Sequence, residues 1–129
     1  MEMQLRLALL NWLRSDPFLA DNLNAVAEEA PVRASIPWLG IAASASVDWS
    51  TKDRRGREIR IAVELHLRGD DPSTGSDVVA AIEQRIETLP TNSPGFDVAS
   101  VRFLRARAEQ RSGNVRAMLL EYRFRILEA

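Results

Sequence analysis

Residues 58 to 68 alternate with a period of two. Ile59, Ile61, Val63, Leu65 and Leu67 fall on one side, and Arg60, Ala62, Glu64, His66 and Arg68 on the other, the pattern of a half-buried strand. The same period returns in 114 to 127, where Met118, Leu120, Tyr122, Phe124 and Ile126 oppose Glu121, Arg123 and Arg125. A strand at 97 to 108 joins that segment through Arg-Ser-Gly-Asn. Residues 38 to 49 are small and mixed, alternate loosely, and are headed by Pro37, a position a strand tolerates. They are expected to pair with 58 to 68 as an antiparallel hairpin, Gly56 supplying the permissive turn residue of a loop at 50 to 57. A short strand is expected near 25 to 28, and 34 to 37 reads as loop.

The helical period appears twice. In residues 2 to 14, Leu5, Leu9, Trp12 and Leu13 form one stripe, Glu2 and Arg6 pair four apart, and Asp16-Pro17 punctuates the end. Leu7 and Leu10 lie off the stripe, which points to burial on two sides, by a sheet and by a neighbouring subunit. A second helix is expected over 77 to 89, carrying Val78, Val79, Ile82, Ile86 and Leu89. Ser73 or Ser76 would serve as its N-cap, with Asp70 and Asp71 favourable before its start. Residues 91 to 95 break the chain again. The order predicts an α+β fold of one domain over 1–129: two helices packed on one face of an antiparallel sheet, a two-layer sandwich with a projecting hairpin. The other sheet face carries Arg60, Arg68, Arg105, Arg107, Arg123 and Arg125 beside Glu64 and Glu121, a surface for solvent or for a partner of complementary charge.

Composition narrows the function classes. The 129 residues suffice for a core without staples, and 46% apolar with 27% charged is ordinary for a globular protein. No stretch approaches the roughly 20 apolar residues of a membrane span, and Met1 to Leu13 lacks a signal-peptide pattern. A cytoplasmic protein is expected. Cysteine is absent, which removes disulfides, thiolate catalysis and zinc–thiolate sites. A net charge of −1 argues against a dedicated nucleic-acid binder. Of the 17 basic residues, all but Lys52 are Arg. Arg suits interfaces and carboxylates, although base composition of the gene accounts for the same bias.

Candidate chemistry is sparse. His66 is the single histidine; without Cys or a second His, zinc would need three carboxylates around it, and no acid–base partner is evident. An exposed sheet residue is the expectation. No Ser stands in a G-x-S-x-G context, and neither a Walker loop nor G-x-G-x-x-G occurs. The alternating acids of a calcium loop are missing too. The expectation is no enzyme, no cofactor and no metal. Two basic stretches stand out: the charged loop Lys52, Asp53, Arg54, Arg55, Arg57 and Glu58, and Arg105 and Arg107 in 102 to 111. These are the candidate subunit or partner contacts. The alternative reading is a small α+β nucleic-acid-binding module using the Arg-rich sheet face, although the aromatic interleaving of a stacking platform is thin.

Several segments in this order resemble one family: the Pro37-Trp38 entry into a strand, Asp48-Trp49-Ser50-Thr51, the strand ending in Arg68-Gly69, the helix DVVAAIEQRIETL, and Tyr122-Arg123-Phe124-Arg125. Together they resemble the tail-completion, or tail-terminator, proteins of long-tailed bacteriophages and gene transfer agents, over nearly the whole chain. The resemblance implies a structural protein that forms a hexameric ring at the head-proximal end of the tail tube. Its partners would be copies of itself, the major tail tube protein and the head connector stopper protein, with DNA passing through the lumen and no membrane involved. It implies a place at the particle neck after assembly in the bacterial cytoplasm, and it carries no catalytic residues over. Mixed charge on the 52 to 58 tip would then orient contacts more than add affinity.

Overall fold

The computed structural model describes residues 1–28, 35–69 and 72–129. The expectations at Asp70 and Asp71, and at Ala34, lie outside them. Along the chain run α1 (Glu2–Arg14), α2 (Pro17–Asn22), β1 (Ala25–Ala27), β2 (Trp38–Asp48), β3 (Gly56–Arg68), α3 (Pro72–Glu87), β4 (Asn92–Ser93), β5 (Phe96–Arg111) and β6 (Val115–Glu128). Among the described residues the strands form one six-stranded sheet in the order β1-β2-β3-β6-β5-β4. β1 runs parallel to β2, and every other pair is antiparallel.

The alternation sorts the sheet as read. Ile59, Ile61, Val63 and Leu65 of β3 and Leu120, Tyr122, Phe124 and Ile126 of β6 are buried on the inner face. Leu5, Leu9 and Leu13 of α1 and Val78, Ile82 and Ile86 of α3 complete the same core. Each such side chain contributes roughly 1.5–3 kcal/mol by leaving water. Trp12 and Arg85 clasp the two helices. The guanidinium stacks 3.4 Å from the indole centroid, the indole Nε1–H donates to the Arg85 carbonyl at 2.7 Å, and Arg85 Nε donates to the Trp12 carbonyl at 2.8 Å.

The expected sandwich of two helices on an antiparallel sheet is not what forms. A curled, mixed sheet dominates, with three short helices. The parallel β1–β2 pair was invisible because Ala-Val-Ala carries no alternation to declare a partner. Asp16-Pro17 does not only end α1. It starts α2, with Pro17 in the first turn and the Asp16 carboxylate accepting from Leu19 N–H at 3.0 Å, the arrangement both residues favour. Helix α3 begins at Pro72, so Ser73 and Ser76 lie inside it instead of capping it. β4, within the expected break at 91 to 95, pairs with the start of β5. Curling has a local cause as well. The register shifts at Ile41/Ala43, Val98/Ser100 and Phe103/Arg105, and such bulges increase twist. As a result, residues of β2 and β5, with β3 and β6 between them, line one hollow on the outer face.

Nor does the β2–β3 hairpin project freely. Thr51 N–H donates to the Arg54 carbonyl at 2.8 Å, closing a turn, and Glu128 N–H donates to the Arg55 carbonyl at 2.8 Å. Arg54 reaches further, donating to the Glu128 carbonyl at 2.8 Å and to Asp97 at 2.9 Å. The tip is therefore strapped to the end of β6 and the start of β5. Gly56 is not a turn residue. It opens β3, and a Cβ there would stand 2.5 Å from the Trp49 carbonyl oxygen and 2.8 Å from that of Ile126. Close backbone approach, not conformational freedom, requires glycine at this position.

Candidate assembly surfaces

The loop after β2 is built by its own small side chains. Ser50 Oγ donates to Asp48 at 2.7 Å and accepts from Gly56 N–H at 3.0 Å, and Thr51 Oγ1 accepts from Arg54 N–H at 3.1 Å. This scaffold separates the charged residues expected to act together. Lys52, Asp53 and Arg55 point into solvent at the tip, whereas Arg54 is spent on the strap. Arg57 turns to the helix side and donates to Ser46 Oγ at 3.0 Å. Glu58 stands on the outer face, 3.0 Å from Arg125 and 3.8 Å from Arg123.

Arg105 and Arg107 lie away from that loop, on the outer face of β5. Arg105 pairs with Glu121, and Arg107 lies 3.2 Å from Glu109. They belong to a lattice of ion pairs across the face. Arg111 bridges Glu64 at 3.0 Å and Glu109 at 2.8 Å, and Arg125 sits over the Trp49 ring at 5.4 Å. Hydrogen bonds from Arg105 hold Glu121 below the usual carboxylate range, with help from Arg107 and Arg60, and Arg111 does the same for Glu109. In register, Arg102 faces Arg123, so like charges meet there. Arg60, Arg102, Arg105, Arg107, Arg111, Arg123 and Arg125 therefore outnumber Glu58, Glu64, Glu109 and Glu121, and the outer face is net positive.

His66 is more engaged than its place on the polar face suggested. Its ring stacks on Trp38 at 4.0 Å, and Nε2 lies 2.8 Å from Glu64. Glu64, two residues earlier on the same strand face, was legible in the spacing, but no local signal announces the stack, since Trp38 comes opposite His66 only through the β2–β3 register. Among the described residues, no three of His, Asp and Glu converge to hold a metal ion, and no helix is long and apolar enough to cross a membrane.

Between the charges the outer face is hollowed. A depression of about 520 Å³ is lined by Ala43, Ala45, Ala62 and Leu104, with Arg60, Arg105 and Glu121 around it. On the helix side, the Glu2 carboxylate accepts from Ser44, and hydrogen bonding to Ser44 and Ser46 lowers its pKa. Arg6, donating to Ser44 and paired with Glu28, is likewise engaged. Beyond them Met3 and Leu7 stand one helical turn apart at 68% and 58% exposure, and Phe18 is 42% exposed. Phe18 borders a groove between α2 and α3 that Asp16 and Asp77 also line.

The family model described as Tail completion protein gp17 matches residues 7–127. A chain of a solved structure titled "Virion of native gene transfer agent (GTA) particle" superposes with a TM-score of 0.83 at 20% identity, covering 99% of this chain and 97% of that one. A second solved chain, whose name states no activity, superposes at 0.56 with 11% identity, covering 99% and 92%. No curated protein sequence matches.

Proposed function

We propose a structural role at the end of a tail tube, because the chain belongs to the tail completion protein gp17 family. Copies of it assemble as a hexameric ring on the head-proximal end of the tube. The ring stops polymerisation and presents the surface that joins the head connector, and DNA passes through its lumen. Its neighbours are the major tail tube protein and the connector stopper protein, and its place is the particle neck. The observation that carries this reading is the end-to-end likeness to a chain of a gene transfer agent virion at a TM-score of 0.83. The work is done by shape and repetition, with no bond made or broken.

Lys52, Asp53 and Arg55, exposed on a strapped and therefore rigid tip, make contacts beyond the subunit body, and Arg107 contributes from the outer face. Arg54, Arg57, Glu58 and Arg105 act by holding those surfaces in shape. The test is electron microscopy of particles from producing cells that lack this chain. Tails of unregulated length, separated from heads, are the expected result. Particles of normal length with heads attached would overturn the proposal. A K52S/D53S/R55S variant, which spares the strap, should give intact subunits and reduced head joining.

A further inference from the structure

We propose that copies of this chain meet head to tail, the outer sheet face of one seated against the helices of the next, with Met3 and Leu7 entering the hollow over Ala45. The inference rests on the ring reading and names the two surfaces that form its repeating contact.

Charge is the first support. Cations exceed carboxylates on the outer face, and Arg60 and Arg102 stand exposed there. On the helix side the balance reverses, though by less: Asp16, Asp21, Asp77, Glu83 and Glu87 outnumber Arg14 and Arg85 of the helices with Arg57 and Arg116 of the inner sheet face, while Glu2 and Arg6 offset each other. The chain as a whole is only −1. One copy is therefore a charge dipole, and opposite faces of successive copies attract. Shape is the second. The hollow is floored by the methyl groups of Ala43, Ala45 and Ala62, which suit an apolar knob. Met3 and Leu7 are the most exposed large apolar residues of the helices, and their spacing of four puts them on one face.

A twofold dimer through the outer face would set positive on positive, and one through the helices would set negative on negative and leave the hollow empty. Two different, complementary surfaces on each copy instead define a heterologous contact, which repeats until a ring closes. DNA fits the outer face less well. Glu58, Glu64, Glu109 and Glu121 interrupt the basic surface, and methyl groups in the hollow offer nothing to a phosphate.

Absence of cysteine makes the test clean. Leu7 stands on α1 and Ala45 on the outer face of β2, so when a short thiol cross-linker is applied to an L7C/A45C variant a link inside one copy adds no mass, and only links between copies build higher species. In particles purified from producing cells, a ladder of dimer, trimer and higher species is expected, and either single variant should stay monomeric, because its cysteine then faces no thiol. In parallel, R60E/R102E and D77R/E87R should each lose self-association in sedimentation, and an equal mixture should regain it, because alternating copies then present opposite charges. If either pair fails to fold, the cross-link decides. A double-cysteine variant that reaches the neck without a ladder, or a mixture no better than its components, overturns this contact while leaving the ring reading intact. Particles carrying no copy at the neck overturn the ring reading itself. Should R60E/R102E keep full assembly but lose binding to a duplex DNA probe, the outer face is a nucleic-acid surface and the proposal falls.

Discussion

Arg85 and Tyr122 show how much a single side chain can depend on its surroundings. Arg85 stacks on Trp12, donates to the Trp12 carbonyl and reaches Ser15 Oγ at 2.8 Å. A stacked cation with charged hydrogen bonds contributes about 2–3 kcal/mol. R85A should lose that much in denaturant unfolding, and R85K, which keeps charge but not the planar fork, should lose part of it. Tyr122 is the opposite case. Its hydroxyl is buried without a hydrogen-bond partner, its ring edge-on to Phe103 at 5.5 Å. Burial, with Glu83 and Glu87 adding to it, pushes its pKa well above the ordinary 10.0. Y122F should therefore be neutral or stabilising by up to about 1 kcal/mol. The sign of the pH effect follows. Above pH 10 the unfolded chain releases the phenolic proton while the folded chain retains it, so wild-type stability falls as pH rises, by more than that of Y122F. It is the only tyrosine, so phenolate absorbance reports it directly, and a phenol that titrates normally in the folded protein would refute this.

Among the elements, β3 and β6 were legible from their alternation alone, because a buried inner face imposes period two from Ile59 to Leu67 and from Leu120 to Ile126. β2 and β5 were harder, since bulges break their phase and their edges face water for much of their length. Among the described residues, β5 has only β6 beside it after Asp97. Hydrogen exchange of the isolated subunit should show β6 amides as the slowest and outward amides of 100–111 as fast; uniform protection along β5 would mean that edge is covered. The turn between β2 and β3 makes a sharper prediction. G56A places a methyl against two backbone carbonyls, and overpacking of that kind costs about 1–3 kcal/mol. The expected signs are a lower Tm and faster proteolysis in 49–55, as the strap to Glu128 loosens. The sequence showed a glycine near a turn, but the reason it must be glycine lies in the carbonyl of Trp49 across the loop and in Ile126 and Leu127, brought there by the β3–β6 register.

For the whole molecule, the separation of charge between the outer face and the helices predicts a salt dependence. Self-association should weaken from low salt toward about 0.5 M, because exposed charges are screened beyond a few ångströms there. An association that strengthens with salt would mean apolar contacts dominate. Sequence by itself determined the faces of β3 and β6, the stripe of α1, the lack of thiol chemistry and the family, since these rest on periodicity, composition and residue order. Tertiary structure alone decided that the sheet is mixed and curled, and that the charged loop is strapped, not projecting. It also decided that Arg105 finds Glu121, that Trp38 covers His66, and that alanines from two strands make one hollow. Periodicity is a local property and survives in one dimension. Register, curl and ion pairing arise between residues far apart in the chain, and no spacing along it encodes which of them will meet.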